Sequence, residues 1–324
     1  MKKHKFKFRS FIFPIVIVIL VTTTWLVYLS YPFDHQAIQI GSSYMTMNNE
    51  FFPVVNDEVA NYVDKEKSFL HNRDPDLSVN KQVEQIHSFM KKDVNAIILN
   101  PVDGNSAKLN QAISAAHKQG IKIIIVDSQV KTKNVDCTII SDNYRAGQLC
   151  AKQLIHSKKI AKILIIEQTT ANSAIDRING FIDTIKKTKN PNYKIVGRLN
   201  TNGQSETAFP LVKKFIAKKI PFNAVMALND KTAVGALAAI DSSVSKSKTI
   251  SVYSVDGSKD IKQIIGKNKN AAATVAQSPF KLGQIAVKTA YKLIDGKKVP
   301  KKIVLPVRII TNRNINKFDT AGWQ

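Results

Sequence analysis

One short stretch constrains the fold of this chain more than any other. Residues 123–126 are four large apolar residues, and Asp127 follows them directly. A run this short and this continuously apolar is typical of a strand buried on both faces, which occurs in parallel sheets covered by helices. Ligands of such sheets bind outside the carboxyl ends of the strands. Apolar runs that end in polar residues recur at Asn100, Glu167, Asn229, Asp256 and Gln277.

Helix and strand patterns alternate along the chain in two series, one before Ser141 and one after it. In residues 105–119, for example, apolar residues recur at the spacing of one buried helix face. This alternation predicts right-handed crossovers and an α/β fold with two doubly wound parallel-sheet lobes. A single (β/α)8 barrel would use a similar number of elements and is the alternative. The last predicted strand covers residues 302–310.

The amino terminus combines a basic start with a long apolar stretch. Residues 11–29 contain no charged residue and follow a cluster of Lys and Arg. As a helix at ~1.5 Å per residue, this stretch would be about as long as a bilayer core is thick. The residues after it make a poor signal-peptide cleavage site, and no cysteine follows for lipid attachment. We therefore expect an uncleaved single-pass anchor with the rest of the chain outside the cell; a cleaved signal peptide is the alternative.

The chain is strongly basic, with 48 Lys and Arg against 24 Asp and Glu and a formal charge of +24. The basic residues are scattered over predicted helix faces and are not collected in one arm. This distribution indicates a solvated surface and not a nucleic-acid interface. Weak attraction to anionic lipid or wall polymer is the lesser alternative.

The sequence lacks the motifs of common enzyme classes. It has no phosphate loop, no glycine-rich dinucleotide motif, no nucleophile elbow and no H-E-x-x-H zinc motif. Cys137 and Cys150 are too few for a zinc site, and the histidines are dispersed. Cys150 lies on the apolar face of a predicted helix, which favours a buried free thiol over a disulfide. We expect no catalytic residues, no metal and no other cofactor.

The polar residues expected at the cleft are carboxylates and amides. Asp127 and Asp256 could in principle form a general acid and base pair. Amide neighbours, however, hold hydroxyl groups and do not transfer protons. This set therefore favours a sugar site over a catalytic one. The expected neighbours are Asn49, Arg177, Asn229 and Gln277.

Eight motifs stand in a fixed order along the chain. They are NNEFF (48–52), NPVD (100–103), VDSQ (126–129), SDNYRAG (141–147), DRINGF (176–181), ALND with AVGALAA (227–239), VDGS (255–258) and ATVAQSPFKLG (273–283). Together they closely resemble the type I periplasmic sugar-binding proteins, especially the ribose-binding branch related to LacI-type repressors. The resemblance covers about residues 36–312.

The resemblance implies a ligand site between two lobes joined by a hinge of three crossovers. It divides the chain into a start, anchor and linker (1–35), an N-terminal lobe (36–141 plus 278–305) and a C-terminal lobe (142–277 plus 306–324). A monomeric ectodomain is expected. By position, the ligand-binding residues are Asn49, Phe51, Phe52, Asp127, Ser128, Arg177, Gly203, Asn229, Asp256 and Gln277.

Structural roles are open for several of these residues. Phe51 or Phe52 could belong to core packing, and Arg177 could form an ion pair between the lobes. Asn229 could cap the helix that follows it. Asp127 and Asp256 could likewise be capping residues.

Two positions depart from the ribose-binding pattern. Ser128 stands where ribose binders usually have an arginine, and Gly203 where they have an aromatic residue that stacks on the sugar. Loss of both contacts would weaken ribose binding by about 30- to 2000-fold. We therefore expect a hexose, a modified sugar or a polyol derivative that occupies room beside Ser128 and Gly203.

The resemblance implies an extracellular solute-binding protein that captures a carbohydrate by hinge closure and delivers it to an ABC transporter. The alternative is a membrane-anchored sugar receptor for a two-component histidine kinase, which an uncleaved protein anchor favours. A repressor relative would begin with a helix-turn-helix domain. Because this chain begins with an apolar stretch, no nucleic-acid partner is expected.

Overall fold

A computed structural model describes residues 9–30, 37–243 and 249–323. The chain divides into two compact units, Met1–Ile38 and Gln39–Gln324. The first unit contains helix α1 (Arg9–Ser30), which includes Pro14. Among the residues described, no helix is both long and apolar enough to cross a membrane. The transmembrane helix expected over residues 11–29 is therefore not confirmed.

The second unit contains two sheets. The first sheet consists of β1 (Gln39–Ser43), β2 (Phe69–Arg73), β3 (Ala96–Leu99), β4 (Lys122–Val126), β5 (Cys137–Ser141) and β11 (Lys302–Leu305). Its strand order is β11-β5-β4-β3-β1-β2, and every pairing is parallel. Lys122 in β4 lies opposite Ala96 in β3.

The second sheet consists of β6 (Ala161–Glu167), β7 (Tyr193–Asn200), β8 (Ala224–Ala227), β9 (Ser251–Asp256), β10 (Ala271–Ala276) and β12 (Arg308–Thr311). Its order is β12-β10-β9-β8-β6-β7. All its pairings are parallel except that between β10 and β12, which is antiparallel. The prediction of two parallel-sheet lobes is confirmed apart from this edge strand, and the barrel alternative is wrong.

Helices cover both sheets. They are α2 (Phe51–Lys65), α3 (Val79–Lys91), α4 (Ala107–Lys118), α5 (Asn143–Ser157), α6 (Asn172–Lys187), α7 (Ser205–Ala217), α8 (Asp230–Ser243), α9 (Lys259–Ile264) and α10 (Pro279–Ile294). On the first sheet α2 packs against α10, and α3 packs against α4. On the second sheet α5 packs against α6, and α7 packs against α8. We call the first sheet with α2, α3, α4 and α10 the first lobe, and the second sheet with α5 to α9 the second lobe.

The core explains why the central strands are continuously apolar. Ile123 and Ile125 of β4 join a cluster that includes α3 and α4. Side chains alternate along a strand, so Ile124 and Val126 point to the opposite face, and they are equally buried. Because both faces are covered, the strand is apolar at every position from Ile123 to Val126, and Asp127 follows where it ends.

The end of the chain differs from the prediction. Residues 302–310 form two strands, β11 and β12, which belong to different sheets. Pro306 lies between them and has no backbone N–H for a ladder, so one continuous strand is interrupted there. The chain also passes between the sheets after Ser141 and after Ala276. Strand β5 and helix α9 were not predicted from the sequence.

Cys137 and Cys150 are both buried and free, as predicted for Cys150. The Cys150 thiol donates a hydrogen bond to the backbone oxygen of Ser254 at 3.2 Å. Burial raises the pKa of the Cys137 thiol to about 11 and also raises that of Cys150. Both thiols are therefore protonated and structural.

Candidate functional site

A cavity lies between the lobes, at the carboxyl ends of strands from both sheets. It comprises about 420 Å³ of empty space, part of which is open to solvent. Clefts of this kind are where small molecules bind to doubly wound sheets. Its lining residues are Met45, Asn49, Phe51, Phe52, Asp127, Gln168, Ala171, Ser173, Ala174, Arg177, Asn202, Gly203, Gln204, Leu228, Asn229, Asp256 and Gln277.

Nine of the ten residues predicted for the site line this cavity. The exception is Ser128, which is fully buried. Its hydroxyl oxygen accepts a hydrogen bond from the backbone N–H of Ser173 at 3.3 Å, so it joins the lobes beside the cavity. The open room expected next to Ser128 is therefore occupied by α6.

Two carboxylates lie at strand ends on opposite sides of the cavity. Asp127 follows β4 and Asp256 ends β9, and each is about 95% buried, with 5% of its surface exposed. Both have positive φ angles, 62° for Asp127 and 141° for Asp256. Residues other than glycine avoid this conformation, which costs about 1–3 kcal/mol and is concentrated at functional sites. The backbone is thus strained at the two positions that deliver carboxylates to the cleft.

Arg177 lies between these carboxylates. Its guanidinium is 3.7 Å from Oδ1 of Asp127 and 3.3 Å from Oδ1 of Asp256. It also donates to Oδ1 of Asn143 at 2.8 Å and to the backbone oxygen of Leu228 at 3.0 Å. Arg177 therefore forms the ion pair between lobes that the sequence left open, and it lines the cavity as well.

Close helix packing positions this arginine. A Cβ atom added to Gly147 of α5 would lie 1.8 Å from the backbone oxygen of Arg177. One added to Gly180 of α6 would lie 2.0 Å from the backbone oxygen of Tyr144. Only glycine permits this approach, so the two glycines bring α6 against α5 and fix where Arg177 enters the cleft.

Burial opposes ionisation of both carboxylates more than Arg177 favours it. Burial raises the pKa of Asp256 to about 8, helped by the negative charges of Asp230 and Asp127 and opposed by Arg177. Burial also raises the pKa of Asp127, against the effects of Arg177, Ser173 and Asn100. One guanidinium does not offset the burial of both groups.

The three predicted amides differ in how much of their hydrogen-bonding capacity is free. Asn229 caps α8, because its Oδ1 accepts from the N–H of Thr232 at 2.9 Å, and its Nδ2 donates to the backbone oxygen of Gly203 at 3.1 Å. Asn49 accepts from the N–H of Phe51 at 3.1 Å. Gln277 donates to Oδ1 of Asp256 at 2.7 Å, while its Oε1 is buried with no hydrogen-bond partner among the described residues.

Aromatic rings form one wall of the cleft. Phe51 and Phe52 are about 97% buried, with 3% of their surface exposed, and contact each other edge to face at 5.5 Å. Phe52 also stacks on Tyr44 at 5.9 Å. Trp323, near the end of the chain, packs edge-on against Phe51 at 5.7 Å. Core packing and cavity lining are thus combined in Phe51 and Phe52.

Several lining residues were missed from the sequence. Gln168 follows Glu167 at the end of β6, where Glu167 instead pairs with the exposed Arg198. The sequence analysis selected Glu167 as the polar residue at the end of this strand. Extending that selection by one residue would have identified Gln168 as a residue of the site. Its Oε1 would lie 2.7 Å from a Cβ atom added to Gly203, so that glycine, at a φ of 74°, leaves room for an amide. Ser173 donates to Oδ2 of Asp127 at 3.3 Å, a contact that no local pattern reveals.

The comparisons with known proteins agree with this architecture. A family model for the periplasmic binding protein domain matches residues 40–298. The ribose import binding protein of Bacillus subtilis is 28% identical over 276 residues, which cover 85% of this chain and 87% of that protein. An ABC transporter solute binding protein from Agrobacterium vitis, solved with bound D-fucose, is 27% identical with a TM-score of 0.78; the match covers 86% of this chain and 97% of that one.

A solute binding protein from Bacillus halodurans, solved with bound myo-inositol, has a TM-score of 0.80 at 21% identity over 88% of this chain and 98% of that one. At this identity the likeness shows the fold alone. The two-sheet fold and its interlobe cleft define a binding protein of the type I architecture. The chain belongs to the periplasmic binding protein domain family.

Proposed function

We propose that this chain is an extracellular solute-binding protein that captures a carbohydrate in the interlobe cleft and delivers it to an ABC transporter. The observation that carries the proposal is the cavity itself, in which carboxylates, amides and aromatic rings from both lobes face one small space. Carboxylates and amides engage hydroxyl groups, and rings cover apolar sugar faces. The sugar-binding proteins among its relatives support the same function.

In this proposal the ligand contacts are the nine lining residues predicted from the sequence, joined by Gln168, Ser173 and Gln204. Residues 36–141 plus 278–305 and 142–277 plus 306–324 move as two bodies. Closure is favoured because one ligand contacts both lobes, and those contacts are lost when the cleft opens. The closed form is further supported by interlobe hydrogen bonds, such as that from Asn172 Nδ2 to the backbone oxygen of Gln129 at 2.9 Å.

Uptake of labelled sugars tests the proposal. A strain lacking this chain should lose uptake of at least one sugar or polyol, and wild-type protein should restore it. Protein with Asp127→Ala should restore it poorly. Unchanged uptake across the panel would contradict the transport function.

A sensing function is the second candidate, and the uncharged residues 11–29 favour it. We propose that this stretch spans the membrane, is not cleaved, and holds the binding domain outside the cell. A neighbouring histidine kinase would then recognise the closed form of the two lobes. In this case deletion of the chain would change sugar-dependent transcripts while uptake stays intact, which separates the two functions.

A further inference from the structure

The charges that line the cleft are unequal. In the cavity described above, the ionisable lining residues are Asp127, Asp256 and Arg177, two carboxyl groups against one guanidinium. All three side chains are at least nine-tenths buried, with 5–7% of each exposed. When both carboxylates are ionised, the cavity carries one net negative charge, in a chain whose formal charge is +24.

The neighbouring cavity continues this pattern. It comprises about 770 Å³ of empty space, part of which is open to solvent, and shares Asn49 and Asp256 with the first cavity. Its charged lining residues are Glu50, Asp230, Lys231, Asp256 and Asp260. Four carboxylates therefore face one ammonium. Clefts lined by one sign of charge concentrate ligands of the opposite sign.

The hydrogen bonds of the cleft lead to the same conclusion. Some of its donors are in use, because Arg177 donates to Asn143, Leu228 and Asp256, and one amide N–H of Gln277 donates to Asp256. Acceptors are left over. Oε1 of Gln204 and Oε1 of Gln277 are buried without a partner in the described part of the chain.

Each cleft carboxylate has one oxygen without a described hydrogen bond, which is Oδ1 in Asp127. Asp256 differs in that it also lines the second cavity. The two described hydrogen bonds to its carboxylate, from Arg177 and Gln277, both go to Oδ1. Its Oδ2 is left for a ligand. Asp230 lies close by, with its carboxylate bonded to Ser254, Ser258 and Thr274, and adds a second buried negative charge that is fixed in place.

We propose, resting on the proposed function, that the ligand is a cationic carbohydrate, an amino sugar or amino polyol, whose ammonium group binds Oδ2 of Asp256. An ammonium group supplies three donors and no acceptor, which complements a cleft with spare acceptors and spare negative charge. The hydroxyl groups of the same ligand bind Asp127 and the amides. A neutral sugar of the same shape brings no counter-charge for the second carboxylate, since Arg177 is the one cation among the described residues that line the cavity.

Matched ligands test this inference on the purified full-length chain in mild detergent. Calorimetric titration would compare glucose, glucosamine and N-acetylglucosamine, the galactose series, and myo-inositol with an inosamine. One amine should bind about 10- to 150-fold more tightly than its neutral and its acetylated counterparts, the range for a charged hydrogen bond. If a neutral ligand binds as tightly as its amine, the inference is overturned and the proposed function stands. If no ligand of the panel binds, both fail.

A variant and a proton measurement locate the ammonium group. Asp256→Asn should remove most of the preference for the amine and affect the neutral ligand less. Asp183→Asn is the matched control, because it makes the same charge change on α6 outside the cavity and should alter neither affinity. At about pH 6, amine binding to the unmodified chain should release a proton from the site, since an ammonium group requires the ionised carboxylate. Amine binding without proton release would overturn the placement at Asp256.

Discussion

Asp127 gives the sharpest test of the site by mutation. Its carboxylate accepts a hydrogen bond from Ser173 and pairs with Arg177, both in the second lobe, while its backbone belongs to the first. Asp127→Ala should therefore act on ligand binding and on closure together. One charged hydrogen bond is worth about 1.5–3 kcal/mol, which corresponds to about a 10- to 150-fold loss of affinity. Because Arg177 keeps its pairing with Asp256, no buried charge is orphaned and the fold should survive.

The assay is calorimetric titration of the purified chain with its tightest ligand from the panel, alongside thermal unfolding. Asp76→Ala is the matched control, because Asp76 lies in the first lobe, also has a positive φ, 51°, and has a mostly exposed side chain. It reports the cost of alanine in this backbone conformation without touching the cleft. Unchanged affinity in Asp127→Ala would show that Asp127 is structural and that the site is misplaced.

Three further predictions concern titration, packing and the amino terminus. The folded-state pKa of Asp256, about 8, lies above its ordinary value of 3.8, so its contribution to stability is present in full below about pH 4 and lost as the pH rises through about 8. Over that range the Tm of the wild type should fall relative to that of Asp256→Asn, and parallel curves would refute this. Gly147→Ala should lower the free energy of unfolding by about 1–3 kcal/mol, since α5 and α6 must separate; an unchanged denaturation midpoint contradicts it. If residues 11–29 are retained as an anchor, the protein should stay with membranes after carbonate washing, and a mature start near His35 would exclude this.

The fold was predictable because a strand buried on both faces appears in the sequence as a short, continuously apolar run. After Lys122, every residue of β4 is apolar and buried, and the polar Asp127 follows where the strand ends. Strand β5 was missed because its apolar run contains Cys137 and Thr138. The split of residues 302–310 depends on which sheet each half joins, which local patterns do not determine.

The sequence predicted most of the residues that line the candidate site, but not the hydrogen bonds that each of them makes. Nine of the ten residues line the cavity. Asp127, Asp256 and Gln277 do so because the carboxyl ends of parallel strands converge there. Phe51, Phe52 and Gly203 were predicted from the family resemblance alone. The part each residue plays depends on partners far away in sequence. The side-chain amide of Asn229 is hydrogen-bonded in the cap of α8 and to the backbone of Gly203. Ser128 is hydrogen-bonded to Ser173, which lies 45 residues further along the chain.

Closure of the two lobes around ligand is the central claim, and a distance between the lobes measures it most directly. Asp57 of α2 and Lys214 of α7 are exposed and lie on opposite lobes, away from the strands β11 and β12 where the chain crosses. Spin labels at Asp57→Cys and Lys214→Cys report on this motion, and Cys137 and Cys150 are buried and should stay unlabelled. The distance distribution should shift to shorter values with saturating ligand. Identical distributions with and without ligand would contradict the account.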